Sequence, residues 1–364
     1  MSIASRLRDG LLEILQTAFR LFPWPTEPGL RCIGKPDASS PVLLTGNYDL
    51  TVRRLMRVLE GNDAWLLIAP SGGINVWCAA AGGHLTTHQV VTALKTSGIA
   101  EKVDHRRVIL PQLSATGVLA LDVFRRSHWK VRFGPVSMQD LPDYLATNEK
   151  TDGMRRVLFP LRDRLQMAAM WASPAVILIG GLALWLAPAW AAPLTLLIAF
   201  MSIAVFTLYD RLGAARRGFL FGAFALLSVS AVAAAGGSLP ALITALLAPA
   251  FLTALLTFDY TGSTPLEGGS HFEERKWSIS LAEDRCEGVF RCLEVCPEAC
   301  YEKLEGQRKV ALAHDERCIR CGACVVQCPK DALFFENADG DRIEPAVIRK
   351  FKLNLLGERK VDAG

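Results

Sequence analysis

Charge is almost missing from residues 167 to 259, and without it that stretch cannot make the polar outer face that a soluble helical bundle needs. The chain also lacks a basic cluster interleaved with aromatics. Its formal charge is only +4, which excludes nucleic acid as the natural partner. The N-terminus has neither an unbroken apolar core nor a small-residue cleavage site, so it does not read as a signal peptide. Instead Ile3, Leu7, Leu11, Ile14, Leu15, Ala18, Phe19 and Phe22 recur at helical spacing among charged residues, which predicts an amphipathic helix within residues 1–30. That helix lies either on a membrane face or against the first domain.

What is present is apolar and rich in cysteine. Mean hydropathy is +0.26 and 51% of residues are hydrophobic, so 364 residues bound two or three domains, one of them membrane-embedded. A span needs about 20 apolar residues. Met167–Ala187, Trp190–Tyr209, Gly218–Ala235 and Leu239–Phe258 qualify, predicting a four-helix anchor within 161–260. Arg155, Arg156, Arg162 and Arg164 precede the first span, and Arg211, Arg216 and Arg217 separate the second from the third. Basic loops stay cytoplasmic. The expected location is the inner (cytoplasmic) membrane, multi-pass, among lipid, with both flanking domains in the cytoplasm. No ionisable residue falls mid-span, so the segment reads as an anchor rather than an ion pathway.

Eight of the ten cysteines lie between Cys286 and Cys328, which points to metal in a reducing compartment. Cys318, Cys321, Cys324 and Cys328-Pro329 make the C-x2-C-x2-C-x3-C-P run of bacterial ferredoxins. The earlier run, Cys286-x5-Cys292-x3-Cys296-Pro297, has the same length but carries Val289 at its second cysteine position. In such folds the fourth cysteine of each run ligates the other cluster. Cys296, Cys318, Cys321 and Cys324 would then hold a complete [4Fe–4S] cluster. Cys286, Cys292 and Cys328 are left for a second, either [3Fe–4S] or [4Fe–4S] with an open corner. The segment Cys292 to Tyr301 resembles the seven-iron ferredoxins, which implies that Cys300 is an unligated thiol. The competing reading gives Cys300 the missing ligand position. Residues 261–364 are expected to be a dicluster ferredoxin domain of α+β type.

Residues 31–160 alternate strand-like and helix-like segments. Trp65–Ala69, Val108–Leu110 and Trp129–Phe133 read as strands. Thr86 to Gln89 is a capping box opening a helix that ends near Gly98, a second helix runs from Thr116 to Arg126, and a third starts near Ser137. The pattern predicts an α/β domain with a mainly parallel sheet, whose ligands bind at strand ends. After the first of these strands comes Ser71-Gly-Gly-Ile-Asn75-Val76-Trp77-Cys78-Ala79-Ala80, with Gly82 and Gly83 close behind. A lone cysteine beside a tryptophan is usually core, but glycine pairs on both sides allow close backbone approach by a ligand.

Asn75-Val76-Trp77-Cys78-Ala79-Ala80 resembles the cap-helix motif of the mercury-methylation corrinoid proteins (HgcA), relatives of the corrinoid iron–sulfur protein large subunit. Asp63-Ala-Trp-Leu-Leu, His105 to Leu113, Phe133-Gly-Pro-Val and Thr261-Gly-Ser-Thr-Pro extend the likeness, and the C-terminal module resembles the family's ferredoxin partner, HgcB. The resemblance implies a fusion in which Cys78 is the lower axial ligand of a cobalamin-type corrinoid's cobalt and the ferredoxin clusters reduce that cobalt. It further implies a corrinoid-dependent methyltransferase, fed by a methyl-donor protein or methyl-folate and by a low-potential electron donor, that passes a methyl group to Hg(II) or another soft acceptor. The chain departs from the pattern in three places. Ala81-Gly82 stands where the family has Gly-Lys, the tail Asn337–Gly364 has no cysteine pair, and the four spans are one fewer than the family's. Cys32 and Cys300 are candidate replacement thiols, and His84 and His88 a candidate metal pair. The alternative function is a membrane-bound ferredoxin-type electron carrier without corrinoid chemistry.

Overall fold

The structure is a computed structural model that describes residues 3–208, 216–258 and 277–351. It divides into two compact units, Met1–Phe22 with Leu158–Leu266, and Pro23–Val157 with Glu267–Gly364. Thr261–Pro265, Arg211 and the tail beyond residue 351 lie outside the described residues.

The second unit opens with a five-stranded sheet of β1 (Gly29–Ile33), β2 (Val42–Gly46), β3 (Ala64–Ala69), β4 (Arg107–Leu110) and β5 (Lys130–Phe133) in the order β1-β3-β2-β4-β5. All neighbours are parallel except β1, which runs antiparallel to β3 at the edge. β2 and β3 are buried end to end, the mark of strands covered on both faces. Their side chains alternate as the pleat requires. Val42, Leu44, Trp65 and Leu67 enter one core cluster, and Leu43, Leu66 and Ile68 enter another on the opposite face. The first face is covered by α3 (Val76–Ala81), α4 (Thr87–Thr96) and α6 (Ala120–Ser127). The second is covered by α2 (Asp49–Val58) and α7 (Leu141–Thr147).

α4 has the predicted capping box, with Thr86 and Gln89 bonding reciprocally. Two predicted helices start later than expected. Residues 112–116 form a 3-10 turn and the helix begins at Ala120. Past Ser137 a 3-10 turn at Met138–Asp140 comes first and α7 follows. β1, β2 and α2 were not anticipated individually.

In the same unit, β6 (Ser278–Leu281), β9 (Leu333–Glu336) and β10 (Arg342–Ile343) form an antiparallel sheet, β7 (Tyr301–Lys303) pairs with β8 (Val310–Leu312), and short helices span Arg291–Val295 and Ala323–Gln327.

The first unit holds α1 (Ile3–Ala18), which packs on the first of four apolar helices, α9 (Leu161–Leu186), α10 (Pro188–Leu208), α11 (Arg216–Ala234) and α12 (Leu239–Phe258). The four helices stand where the sequence places them. The expected count of four spans is corrected, because among the described residues only α9 and α10 are long and apolar enough to cross a membrane. α11 and α12 contribute the shorter apolar stretches Gly218–Ala234 and Leu239–Thr253. Ala168, Met201, Val205, Phe206, Leu220 and Leu252 fill the interior, while Leu178 (72% exposed), Trp185 (80%), Leu226 (70%) and Phe251 (65%) point outward.

Candidate functional site

The cysteine runs fold as a repeated trace offset by 32 residues. Left-handed backbone recurs at Gly288 and Arg320, at Phe290 and Gly322, and at Ala299 and Asp331. The N–H of Cys300 points at Cys296 Sγ at 3.4 Å, and the N–H of Ala332 points at Cys328 Sγ at the same distance. Val289 therefore occupies the position that Cys321 holds in the second repeat, and Cys300 occupies that of Ala332.

This pseudo-symmetry gathers the thiols around two cavities. One is lined by Cys286, Cys292 and Cys328 together with Val289. The other is lined by Cys296, Cys318, Cys321 and Cys324, with Cys300 beside them. The partition is the crosswise one expected from spacing. Cys300 lies in the four-cysteine cavity and not in the one that lacks a ligand, so the structure does not offer it as the missing fourth ligand. Its buried thiol bonds Cys296 and Cys318 instead, holding Cys296 down to about 6. Burial pushes Cys292 up to about 12. Glu298, buried beside Cys296, has its carboxyl raised to about 8 by desolvation, with one oxygen lacking a hydrogen-bond partner. Among the described residues no three His, Cys, Asp or Glu side chains converge on a point that would hold a single metal ion. Thiols that ring a cavity rather than meet at a point suit a cluster whose several irons take one thiolate each.

The Cys78 segment starts where β3 ends. Ser71, Gly72 and Gly73 turn the chain, the two glycines both in left-handed conformation (φ 69° and 67°). A Cβ at Gly73 would lie 2.5 Å from the Pro25 nitrogen, so the turn requires glycine there. Asn47, beyond β2, locks the turn. Its Oδ1 accepts from the N–H groups of Ser71 (2.8 Å) and Gly73 (2.9 Å), and its own N–H donates to Ser71 Oγ at 3.0 Å. Asn75 caps α3 by accepting from Trp77 N–H at 3.1 Å. Val76, Ala79 and Ala80, at i, i+3 and i+4, are buried toward the sheet, which leaves Trp77 half-buried and Cys78 exposed. The thiol is thus presented at the carboxyl end of a parallel strand, where open α/β sheets bind ligands. An exposed sulfur beside Trp77 on a helix seated by small residues is a donor set that fits a flat macrocycle held through sulfur. Cys32 lies on the edge strand β1, and His84 and His88 are exposed, His88 with its Nδ1 3.5 Å from an Arg126 guanidinium nitrogen.

Sequence reasoning missed Asn47, Gln112, Lys150 and Gln327, all of which bond backbone groups rather than form motifs. Gln327 Nε2 donates to the carbonyls of Ala115 and Val118 at 2.8 and 2.6 Å. Lys150 Nζ donates to Gln112 Oε1, Gly134 O and Glu294 O, and burial lowers its pKa to about 8.

The class of molecule is now defined: an α/β domain with an exposed thiol at a strand end, packed in one unit with a two-repeat ferredoxin-like module, on a chain that also carries a group of apolar helices. Comparison with known families finds matches in the N-terminal and C-terminal parts of the chain. Residues 11–145 match the family described as CO dehydrogenase/acetyl-CoA synthase delta subunit, and residues 313–334 match the 4Fe-4S binding domain. Among curated relatives, the acetyl-CoA decarbonylase/synthase complex subunit gamma of Methanopyrus kandleri is 35% identical over 137 residues, covering 37% of this chain and 28% of that protein. The subunit gamma of Methanocaldococcus jannaschii is 35% identical over 128 residues, 35% of this chain and 26% of its own length. Subunit gamma 2 of Methanosarcina mazei is 39% identical over 120 residues, 32% and 25%. The chain spans about a quarter of the length of these relatives. The similarity runs to the acetyl-CoA decarbonylase/synthase relatives and is not specific to mercury methylation.

Proposed function

We propose that this chain is a membrane-anchored corrinoid iron–sulfur methyl carrier. The observation that carries the reading is the setting of Cys78: an exposed thiol on a short capped helix at a strand end, within the stretch similar to the acetyl-CoA decarbonylase/synthase subunits and in the same compact unit as two thiol-ringed cavities. Cys78 would hold the cobalt through its sulfur with Asn75 and Trp77 flanking it, while Val76, Ala79 and Ala80 would fix the helix to the sheet beneath. When bound, the corrinoid would supply a cobalt able to accept and release a methyl group, and a Cys78 thiolate would make that metal more electron-rich, as cysteine does for haem iron. Cys296, Cys318, Cys321 and Cys324 would hold a [4Fe–4S] cluster, and Cys286, Cys292 and Cys328 a second cluster that is three-iron or has an open corner.

The apolar helices support an anchor in the cytoplasmic membrane, since Leu178, Trp185, Leu226 and Phe251 face outward although the interior is already filled by Met201, Val205, Phe206, Leu220 and Leu252. The methyl acceptor is read as a soft electrophile, with Hg(II) the first to try, and the methyl source as a methyl-folate or a methyl-carrying protein. Purified anaerobically and loaded with cobalamin, the protein is expected to show a cobalt visible spectrum that changes in Cys78→Ala. Identical spectra in the two proteins would defeat thiolate ligation.

A further inference from the structure

Within the second unit the α/β domain and the ferredoxin module meet through a polar seam that no motif announces. Gln327 lies in the short helix between Cys324 and Cys328 and is buried. Its amide spends itself on one backbone stretch of the α/β domain, donating to the carbonyls of Ala115 and Val118 and accepting from the N–H of Ala120 at 3.2 Å. Gln112, also buried, donates to Arg155 O at 2.8 Å and reaches Cys296 O at 3.5 Å. Lys150 ties the carbonyl of Glu294 at 3.0 Å to the side chain of Gln112 at 2.8 Å. Val157 N–H adds a bond to Pro297 O at 3.0 Å. Apolar packing crosses the seam as well. Val295 and Ala323 belong to the α/β core with Cys321 packed against it, and Leu119 packs on the ferredoxin core.

The stretch 112–120 has a second neighbour. A Cβ on Gly117 would lie 2.5 Å from Ala80 O and 2.6 Å from Leu85 O, so this backbone is pressed onto the helix that carries Cys78. One segment thus touches α3 on one side and the helix of Cys324 on the other. The three-cysteine cavity has an exposed side: Val289 in its lining is 43% exposed, and Glu287 and Lys330, which also line it, pair at 2.7 Å.

We propose that residues 112–120 are a docking seat, with Gln327 and Lys150 as its positioning residues, that fixes the four-cysteine set against the Cys78 helix and leaves the three-cysteine set facing outward as the point of electron entry. The inference rests on the corrinoid reading for what receives the electron. One electron is lost by a cluster at Cys296, Cys318, Cys321 and Cys324 and gained by the cobalt. The outer cluster replaces it with one taken from a low-potential one-electron donor protein. Two groups held in one rigid unit react without a search, so effective concentration sets the rate.

The test uses the full chain, anaerobic and iron-loaded, as wild type, Gln327→Leu and Lys150→Met. Hydrogen exchange at 112–120 is read before corrinoid is added. Cobalt reduction is then timed with reduced flavodoxin as protein donor, and separately with titanium(III) citrate, which is small enough to reach cobalt directly. The seat predicts faster exchange at 115–120 in Gln327→Leu, a loss of about tenfold or more in cobalt reduction by flavodoxin, and unchanged iron content and titanium(III) rate. Unchanged exchange in both variants would overturn the seat, and so would raised exchange with an unchanged flavodoxin rate. Should no corrinoid bind to any of the three proteins, raised exchange still upholds the seat and the failure belongs to the corrinoid reading. Lys150→Met carries the test if Gln327→Leu loses iron.

Discussion

The two cysteine repeats share a backbone trace and differ in their cysteine pattern at two positions. Residues 286–300 and 318–332 turn at the same places, place their helices alike and aim an N–H at the same kind of sulfur. The first repeat has Val289 where the second has Cys321, and Cys300 where the second has Ala332. Ligand number is therefore set by side-chain identity on a conserved trace. The first cavity is present with three thiols lining it, so its residues would suit a cluster with an open corner.

That comparison can be broken most severely in the second repeat. Cys321→Ser is expected to remove the four-thiolate cluster, and with it about four irons per chain, with a cooperative loss of thermal stability seen by circular dichroism. Retention of full iron would mean that the crosswise assignment is wrong. Val289→Cys sharpens the comparison from the other side. It should convert the outer cluster to a complete [4Fe–4S] centre, add about one iron per chain if that centre is three-iron in the wild type, and abolish the three-iron signal in electron paramagnetic resonance.

A backbone test comes next. Gly288 is left-handed and a Cβ there would sit 2.1 Å from Arg308 O, so Gly288→Ala should cost roughly 2 kcal/mol or more. Its counterpart Arg320 already carries a side chain at φ 55°, so Arg320→Ala should cost well under half of that by denaturant melts. Lys150 gives a smaller, pH-dependent effect on the seam. Its folded pKa is lowered to about 8 from 10.5 by burial. Between those values the unfolded chain binds more protons, so stability rises with pH. Relative to Lys150→Met, the wild type should gain roughly 1 kcal/mol from pH 7 to pH 9, and a flat difference would show that the three oxygen acceptors fully offset the burial. The smallest effect is expected from Cys300→Ala, which copies Ala332 into the first repeat. Iron content should not change, and loss of iron would make Cys300 a ligand.

Sequence legibility followed the range of the interactions. The grouping of the cysteines around two cavities is the one their spacing suggests, because the two runs repeat the same short-range pattern along the chain. The capping box at Thr86 and Gln89 is equally local. β2 escaped separate notice because only Val42, Leu43 and Leu44 of its five residues form an apolar run, beside a proline and too short to show a period. The helix expected from Thr116 starts at Ala120 because Gly117 must approach the Ala80 carbonyl, a contact with a distant segment. Gln112, Lys150 and Gln327 act on backbone carbonyls far away in sequence, and a glutamine or lysine that does so leaves no pattern. The four apolar helices lie where composition places them, and among the described residues two are long and apolar enough to cross a membrane where composition suggested four.

The measurement that bears most directly on the account is cobalt and iron per chain in the anaerobically purified protein, expressed with cobalamin supplied, beside Cys78→Ala. The account predicts about one cobalt per chain together with iron for two clusters, with the mutant keeping its iron while its cobalt is lost or spectrally altered. Iron without cobalt in the wild type would contradict it and leave an electron carrier.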